Sequence, residues 1–236
     1  MNIIHSDPSI IVINKPAGLP VLPDGWEPGA PYLLKMLEMQ FASPTVGTGQ
    51  GIWVVHRLDK ITSGVMVFAL NADAHRSLSL QFEHHETHKV YHALVQGNPK
   101  WDEHTARHPL RVNVGHKHRT AIDHNKGKPS VTHFRVLERF ASAALVEATP
   151  ETGRTHQVRA HASALGYPLL ADILYGADKS AVIQRPALHA FSLQFKHPAS
   201  GEIVDFQAPY PADFSAALRS LKTPARNLPI SDSNVS

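Results

Sequence analysis

Residues 56–64 read HRLDKITSG, and the apolar run VMVFA follows at residues 65–69. The apolar run predicts a buried strand, and Thr62–Gly64 are residues that favour a turn just before it. Asp59 and Arg57 therefore place a carboxylate and a guanidinium in a loop at the mouth of a rigid element. Such loops often carry binding and catalytic residues, although an isolated Arg-x-Asp is more often an incidental surface ion pair.

The composition is that of an ordinary globular protein. Of the 236 residues, 42% are hydrophobic and 18% are charged, and the chain is long enough to bury a sizeable core. It contains no cysteine, which excludes disulfides, thiolate zinc sites and thiol catalysis. No apolar run reaches the length of a membrane span, and the N-terminus lacks the pattern of a signal peptide. We therefore expect a cytoplasmic protein.

The charge balance is compatible with a nucleic-acid partner but does not require one. The formal net charge is +3, and the 17 histidines add positive charge below neutral pH. A protein that binds polyanions without specificity is usually more basic than this. If RNA is the partner, the positive charge must be concentrated along one groove.

Strand signals outnumber helix signals along the chain, and hairpin connections are frequent. The predicted fold class is therefore α+β, with a largely antiparallel mixed sheet and flanking helices. Predicted strands lie at residues 3–5, 10–14, 89–97, 132–137, 144–148, 188–195 and 202–206, and predicted helices at residues 32–41, 72–88, 155–165 and 213–221.

Nothing in the sequence marks a linker between two cores, so we expect a single domain over residues 1–222. Residues 42–51 are predicted to form a flexible loop. Residues 98–129, which include the basic string at 116–119, are the least readable part and suggest a mobile arm or hairpin. Residues 223–236 hold prolines, serines and asparagines with little to bury, and a flexible tail is expected there.

A second stretch, residues 152–161, reads TGRTHQVRAH. Gly153 allows a close backbone approach just before a predicted helix, which Thr155 would cap and Gly166 would end. The helix N-terminus favours a nearby anion, and Arg154 would project there from a fixed base. A guanidinium in that place can clamp a carboxylate through two parallel hydrogen bonds.

Two further blocks complete the pattern: KVYHA at residues 89–93, in a predicted strand, and LHA at residues 188–190, followed by His197-Pro198. Together with the stretches at 56–64 and 152–161, they resemble the RluA family of pseudouridine synthases. The matching blocks occur in the family's order and extend from residue 11 to about residue 208. The resemblance therefore covers nearly the whole chain.

The resemblance implies a pseudouridine synthase catalytic domain with an RNA-binding cleft. It makes Asp59 the nucleophile, Arg154 the guanidinium that holds it, and Tyr91 the residue that stacks on the target base and helps to move the proton from C5. Without the resemblance, Tyr91 would be read as a half-buried strand tyrosine. The RNA-binding candidates are Arg57, Lys15, Thr62, His156, Gln157 and Arg159.

For two of these candidates a specific RNA contact is expected, and each also has a purely structural alternative. Arg57 would fill the space that the target base leaves or grip the adjacent phosphate; the alternative is a salt bridge to the scaffold. Lys15 could contact an RNA phosphate, although a solvated loop lysine is the commoner outcome.

The implied reaction isomerises uridine to its C-glycoside. The N1–C1′ bond breaks, the base rotates, and C5 joins C1′, so nothing is gained or lost and no cofactor or metal is required. An aspartate carboxylate, ionised at neutral pH, can trap the intermediate at C1′ of the sugar or at C6 of the base, and the sequence leaves both open. The target base must leave its stack, since the reacting atoms are inaccessible inside a helix.

The family's usual substrates are stem-loops of tRNA or of large-subunit (23S) ribosomal RNA. We therefore expect an RNA partner, no DNA and no membrane, with a monomer as the default. The chain begins directly with the catalytic stretch, so we expect no S4 RNA-binding domain. One departure is Ala171, where the family usually has glycine. A positive φ there would cost alanine about 1 kcal/mol of strain.

Two alternatives compete with this function. His84 and His88, with Glu86 between them, could share a metal on a helix, but the spacing is one residue short of the zincin pattern and no third ligand is evident. No catalytic metal is therefore predicted. The other alternative is an RNA-binding protein of the same fold that has lost catalysis, against which the intact Asp59, Tyr91 and Arg154 argue.

Overall fold

The computed structural model describes residues 2–23, 29–41, 51–115 and 119–223. The strands in this part of the chain are β1 (Asn2–Ser6), β2 (Ile10–Lys15), β3 (Trp53–Val54), β4 (Ser63–Ala69), β5 (His88–Gln96), β6 (Glu103–Arg107), β7 (Leu110–Val114), β8 (Arg119–Ile122), β9 (Val131–Arg139), β10 (Ala143–Pro150), β11 (Leu188–Lys196) and β12 (Ile203–Gln207). The helices are α1 (Leu33–Phe41), α2 (Ala72–Glu83), α3 (Gln157–Ala164) and α4 (Ala212–Lys222), with a 3-10 turn at Ile173–Tyr175.

Ten of the strands form one mixed sheet in the order β1-β2-β4-β11-β5-β10-β9-β6, with β3 added beside β4 and β12 beside β11. The β4–β11 pair is parallel, whereas the other pairs in this sheet are antiparallel. β7 and β8 form a separate hairpin within residues 98–129, the stretch for which the sequence suggested either a mobile arm or a hairpin. The α+β class with a largely antiparallel mixed sheet is confirmed.

The apolar run at residues 65–69 forms the centre of β4, and all seven residues of this strand are buried. It is flanked by β2, which is nearly as apolar, and both strands belong to one core cluster with Leu33 and Leu37 of α1 and Leu78 of α2. A continuous apolar run, rather than an alternating one, is what a strand covered on both faces requires.

The parallel contact between β4 and β11 leaves no room for a side chain at Gly64. Gly64 pairs with Ala190 and has a φ of 123°. A Cβ at Gly64 would lie 2.1 Å from the Ala190 carbonyl oxygen and 2.6 Å from its nitrogen. On its other side Ala190 pairs with Tyr91 of β5, so the end of the HRLDKITSG stretch and the strand tyrosine share one row of the sheet.

Polar side chains reinforce this contact. The Ser63 hydroxyl lies 3.0 Å from Nδ1 of His189, and His189 Nε2 lies 3.1 Å from the Ala208 carbonyl oxygen, to which it donates. Arg185 Nη2 donates to Ser63 Oγ at 3.3 Å. Burial lowers the pKa of His189 to about 4, so the ring is neutral and can accept from Ser63.

The helix ends show where local sequence signals worked and where they failed. Asn71 caps α2 as predicted, its Oδ1 accepting from the Ala74 N–H at 2.9 Å. The prediction that this helix reaches residue 88 was wrong: α2 ends at Glu83, His85 takes a left-handed φ of 59°, and His88 begins β5. The strand needs that residue to pair beside β11, and tertiary pairing overrides helix propensity.

The start of α3 also differs from prediction. Thr155 is not its cap, because the helix begins at Gln157 and the capping position is His156, with a left-handed φ of 55° and no side-chain cap. The predicted stop at Gly166 is confirmed: its φ is 85°, and its N–H donates to the Ser163 carbonyl at 2.9 Å.

Several predictions from sequence fall wholly or partly on residues outside the described part. These are the loop at 42–51, of which Gly51 is described, the basic string at 116–119, of which Arg119 is described, and the tail at 223–236, of which Thr223 is described. No helix in the described ranges has the length and apolar character that crossing a membrane requires.

Replacing Gly64 with alanine should destabilise the protein by about 3 kcal/mol or more, since the new methyl group must displace the β11 backbone and the backbone is in a glycine region. Chemical denaturation of the purified variant measures this. Gly153→Ala is the matched control, because nothing lies within 4 Å of a Cβ built at Gly153 and its φ is not positive. Equal stability of the two variants would contradict the role given to the β4–β11 contact.

Ala171 has a φ of 63°, the strained conformation that glycine adopts more readily. Ala171→Gly should therefore raise the free energy of unfolding, by up to about 1 kcal/mol, the entropy of the unfolded chain opposing part of the gain. Gly166→Ala, at a φ of 85° with open space around the added Cβ, should change stability in the opposite direction. A destabilising Ala171→Gly would show that the methyl group's packing outweighs the strain.

Candidate active site

The sequence-predicted catalytic residues line one cleft. Asp59, Tyr91 and Arg154 all face a cavity of about 850 Å³. Its walls come from the loop before β4, the Pro20–Pro23 loop, one side of α2, the start of β5 and the segment that joins β10 to α3. A cavity of this size is at the upper end of what small-molecule sites use, and is ample for a nucleotide.

The loop that carries Asp59 is tied down through its own carbonyl groups. The Thr62 N–H donates to the Asp59 carbonyl at 3.0 Å and closes a turn. The Lys60 carbonyl accepts from the Gly18 N–H at 2.7 Å, and the Ile61 carbonyl accepts from Arg185 at 3.1 Å. Leu58 is buried below the loop. The Asp59 side chain is thus presented from a fixed backbone, with a quarter of its surface exposed.

Lys15 stabilises the loop that carries Asp59 and does not face solvent. Its side chain is fully buried, and Nζ donates to the carbonyls of Pro16 (2.9 Å), Lys60 (3.2 Å) and Thr62 (2.8 Å). Burial lowers the pKa of Lys15 to about 8. The expectation that Lys15 contacts an RNA phosphate is therefore corrected, because an ammonium group enclosed by three carbonyls is not available to a ligand.

Two donors approach the Asp59 carboxylate, and neither is Arg154. His156 Nε2 lies 3.7 Å and Arg159 Nη1 lies 3.8 Å from Asp59 Oδ2. Arg159 also makes a buried bidentate pair with Asp172, with bonds of 2.7 and 2.8 Å. The expectation that Arg154 clamps Asp59 is corrected: no nitrogen of Arg154 comes within 4.0 Å of this carboxylate, although both residues are described.

The start of α3 explains why Arg159, and not Arg154, lies near Asp59. Arg154 lies before the helix, whereas Arg159 lies in its first turn, after the left-handed turn at His156 has changed the chain direction. The sequence TGRTHQVRAH contains both arginines, and the choice between them depends on where the helix begins. A start at Gln157 rather than at Thr155 moves the facing position to Arg159.

Gln157 holds the segment before α3 in shape. Its Oε1 accepts from the Arg154 N–H (3.1 Å) and the Thr152 hydroxyl (2.7 Å), and its Nε2 donates to the Val131 carbonyl (2.9 Å) and to Thr132 Oγ1 (3.0 Å). With all these bonds made and 4% of its surface exposed, Gln157 organises the wall and has little left to offer a ligand.

The remaining RNA-binding candidates divide by exposure. Arg57 is exposed at the cleft, and His156 is partly exposed. Thr62 and Arg159 line the cleft but are only 2% and 4% exposed. These two can form the floor under a bound group, but they do not offer a surface that tracks an RNA backbone. Among the six candidates, Arg57 and His156 are thus the ones the structure leaves accessible.

Tyr91 and Lys89 stand two residues apart on β5 and therefore point to the same face, toward the cleft. Burial and the negative charge of Asp59 raise the pKa of Tyr91, so the phenol keeps its proton. Burial lowers the pKa of Lys89. Lys89 was not chosen as a functional residue from the sequence, although the alternation Lys-x-Tyr was a signal that both side chains share one face.

His56 is a second residue whose part sequence reasoning missed. Its Nε2 accepts from the Val67 N–H at 3.1 Å, and its ring stacks on Phe82 with centroids 4.4 Å apart. Burial lowers the pKa of His56 to about 3, so it is neutral. The ring thus fastens the loop to β4 and to α2 and forms an uncharged aromatic wall of the cleft.

The cleft carries an excess of positive charge. Five lysines and arginines but two carboxylates are found among the described residues that line it. Three of these cations, Arg57, Lys89 and Arg154, form no ion pair with a carboxylate in the described part of the chain, and Arg154 Nε is buried without a hydrogen-bond partner. Unpaired cations in a partly desolvated cleft favour an anionic ligand.

Within the described ranges, no group of three or more metal-binding side chains is arranged to hold a metal ion. The two histidines considered from the sequence are not on one helix: His84 follows the end of α2, and His88 begins β5.

Comparison with known proteins gives concordant matches. Residues 9–164 match the family model described as RNA pseudouridylate synthase. An uncharacterized RNA pseudouridine synthase of Mycobacterium bovis is 40% identical over 227 residues, covering 94% of this chain and 73% of that protein. The ribosomal large subunit pseudouridine synthase D of Haemophilus ducreyi is 37% identical over 241 residues, covering 94% and 71%. The solved structure of human RNA pseudouridylate synthase domain containing 4 superposes with a TM-score of 0.76 at 27% identity, covering 93% and 92%.

The two arginines of the TGRTHQVRAH stretch should respond differently to removal of their charge. Arg159→Met leaves Asp172 buried without its partner and should lower the free energy of unfolding by about 3 kcal/mol or more. Arg154→Met removes a guanidinium without a carboxylate partner and should leave stability within about 1 kcal/mol. Denaturant titrations of both variants test this, and a greater loss for Arg154→Met would restore the original assignment.

Proposed function

Since the chain belongs to the RNA pseudouridylate synthase family, we propose that it isomerises specific uridines of structured RNA, in tRNA or 23S ribosomal RNA, with Asp59 as the nucleophile and with the target base flipped out. The resemblance to the RluA family that the sequence motifs carry is confirmed by the family match. The chain is accordingly an RNA pseudouridine synthase, an isomerase.

One observation carries the assignment of the site: a carboxylate on a fixed loop faces an aromatic strand residue inside a cleft with excess positive charge. Asp59 lies within 4.0 Å of two donors, and its charge acts on the Tyr91 hydroxyl. The unpaired cations Arg57, Lys89 and Arg154 supply the attraction that RNA phosphates need. Each of these features supports nucleophilic chemistry on an RNA substrate.

In the proposed reaction, one oxygen of Asp59 attacks C1′ of the sugar or C6 of the base. The N1–C1′ bond breaks, the base turns, the C5–C1′ bond forms, and the C5 proton ends on N1 with Asp59 released as a carboxylate. Both donors at Asp59 lie nearest Oδ2, which leaves Oδ1 as the attacking oxygen. A nucleophile presented from a fixed backbone needs little reorganisation when the substrate arrives.

Tyr91 is proposed to pack its ring against the extruded base. Its raised pKa keeps the hydroxyl protonated in the resting site, so stacking requires no change in its charge. Arg57 is proposed to enter the space that the base vacates or to hold the adjacent phosphate, which its exposed position at the cleft permits. Thr62, His156, Gln157 and Arg159 are proposed to shape the pocket rather than to contact the RNA backbone.

The choice of RNA is the finer part of the proposal. Two relatives, from Haemophilus ducreyi and Zymomonas mobilis, are named ribosomal large subunit pseudouridine synthase D, and each is 37% identical to this chain. Large-subunit ribosomal RNA is therefore the first substrate to test, and tRNA the second. Residues 1–222 are proposed as the catalytic domain with a tail at 223–236, acting as a cytoplasmic monomer without a cofactor.

Asp59→Asn should abolish pseudouridine formation while leaving RNA affinity within about fivefold, because the amide keeps the shape of the carboxylate but is not a nucleophile. The assay incubates unmodified transcripts of 23S ribosomal RNA and of tRNA with each protein and maps pseudouridine by site. Asp102→Asn is the matched control, the same change on a side chain that is 87% exposed and outside the cleft.

The outcomes separate the two candidate functions. Product with the wild-type protein and none with Asp59→Asn supports the proposal. Binding of RNA by the wild type without product would favour the non-catalytic RNA-binding protein. Product with Asp59→Asn would refute the nucleophile, and mapping RNA from cells with and without the gene identifies the uridine.

A further inference from the structure

The hydroxyl of Tyr175, a residue not among the predicted site residues, connects the β7–β8 hairpin to the neighbourhood of Asp59. Tyr175 is 7% exposed and sits in the 3-10 turn after α3. Its oxygen lies 2.9 Å from the Thr120 N–H of β8 and 3.1 Å from Nδ1 of His156. The other ring nitrogen of His156, Nε2, is the one that lies 3.7 Å from Asp59.

The hydrogen-bond partners of Tyr175 indicate where the protons lie. The Thr120 N–H can only donate, so the Tyr175 oxygen accepts from it. The Tyr175 hydroxyl then needs an acceptor for its own proton, and His156 Nδ1 lies 3.1 Å away. The Thr120 hydroxyl is also close to the Tyr175 oxygen, and it donates its own proton to the Thr155 carbonyl at 2.8 Å. A nitrogen that accepts carries no proton, so the single proton of the neutral imidazole is on Nε2.

The charge states agree with this arrangement. Burial raises the pKa of Tyr175, so the phenol keeps the proton that it donates. Burial lowers the pKa of His156, which makes the neutral ring the resting form although the Asp59 charge acts in the opposite direction.

The surrounding contacts hold both rings in place. The Arg159 guanidinium lies over the Tyr175 ring, 4.8 Å from its centroid, and is itself bound by Asp172. The Ser163 hydroxyl donates to the Tyr175 carbonyl at 2.7 Å. His156 has a left-handed φ of 55°, a conformation that is strained for histidine and that persists only where its surroundings enforce it.

We propose that Tyr175 is a positioning residue that holds His156 in the Nε2-protonated tautomer, so that an N–H group and not a lone pair faces the Asp59 carboxylate. The proposal rests on the function given above, in which Asp59 is the nucleophile. An N–H facing Oδ2 stabilises the carboxylate when it is released from the covalent intermediate, whereas a lone pair there would repel it. The β7–β8 hairpin, through the Thr120 N–H, sets the orientation of the Tyr175 hydroxyl.

The tautomer is measured directly on the free protein. Histidine labelled with ¹⁵N reports which ring nitrogen carries the proton, and the His156 signals are assigned by their loss in His156→Gln. At pH 8 the wild-type protein should show His156 protonated on Nε2 and not on Nδ1. Protonation on Nδ1, or an even mixture of the two forms, would overturn the proposal whether or not Tyr175→Phe folds.

Tyr175→Phe removes the hydroxyl and keeps the ring under Arg159. His156 should then populate both tautomers, and kcat on the 23S ribosomal RNA transcript should fall by about tenfold or more, with KM within about twofold. Ser163→Ala is the matched control, because it removes a hydrogen bond to the same tyrosine but leaves the hydroxyl. It should leave the tautomer unchanged and kcat within about twofold.

The experiment separates this proposal from the proposed function. If Tyr175→Phe changes neither the tautomer nor kcat, or if Ser163→Ala produces the same losses, Tyr175 has no positioning role beyond structure. If the wild type forms no pseudouridine on either transcript, the proposed function fails, while the ¹⁵N measurement still decides whether Tyr175 sets the tautomer.

Discussion

The parallel contact between β4 and β11 is the constraint on which the site depends. In a sheet whose other pairs are antiparallel, it joins the strands that precede α2 to those that follow it, and the two backbones meet at Gly64 and Ala190 without a side chain between them. Ala190 also pairs with Tyr91, so Gly64 and Tyr91 lie two strands apart in one row, roughly 10 Å. A loop that ends at Gly64 and a tyrosine on β5 must therefore face the same cleft.

Cations in and around this cleft fall into two groups, those that stabilise the structure and those that are available to a substrate. Lys15, Arg159 and Arg185 are largely or fully buried and are satisfied by carbonyls or carboxylates, so they hold the Asp59 loop and the start of α3 in place. Burying such charges is costly unless every donor has a partner, and that cost makes alternative loop positions unfavourable. Arg57 and Lys89, by contrast, have no acceptor in the described part of the chain and remain available to a substrate.

The sequence was sufficient for most of the elements, because they follow from local signals, and the location of the site followed from the resemblance of the motif blocks to the RluA family. Apolar runs gave the strands around β4, and turn residues and motif blocks placed Asp59, Tyr91 and Arg154 in one cleft. It did not identify the partner of Asp59, since that depends on a left-handed residue at His156 that shifts the helix start. Nor did it show that Lys15 is buried, because two of the three carbonyls that enclose it come from a loop 45 to 47 residues away.

The electrostatic coupling between Asp59 and Tyr91 bears on the order of events in the proposed reaction. The charge of Asp59 adds to burial in raising the pKa of Tyr91, so a free carboxylate and a phenolate disfavour each other. When Asp59 is bonded to carbon its charge is gone, and this contribution to the pKa of Tyr91 disappears with it. Tyr91 must lose its own proton before its oxygen can accept the one from C5, and that loss is therefore most favourable while Asp59 is covalently engaged. If the carboxylate has already left, the same coupling makes Asp59 itself the better acceptor.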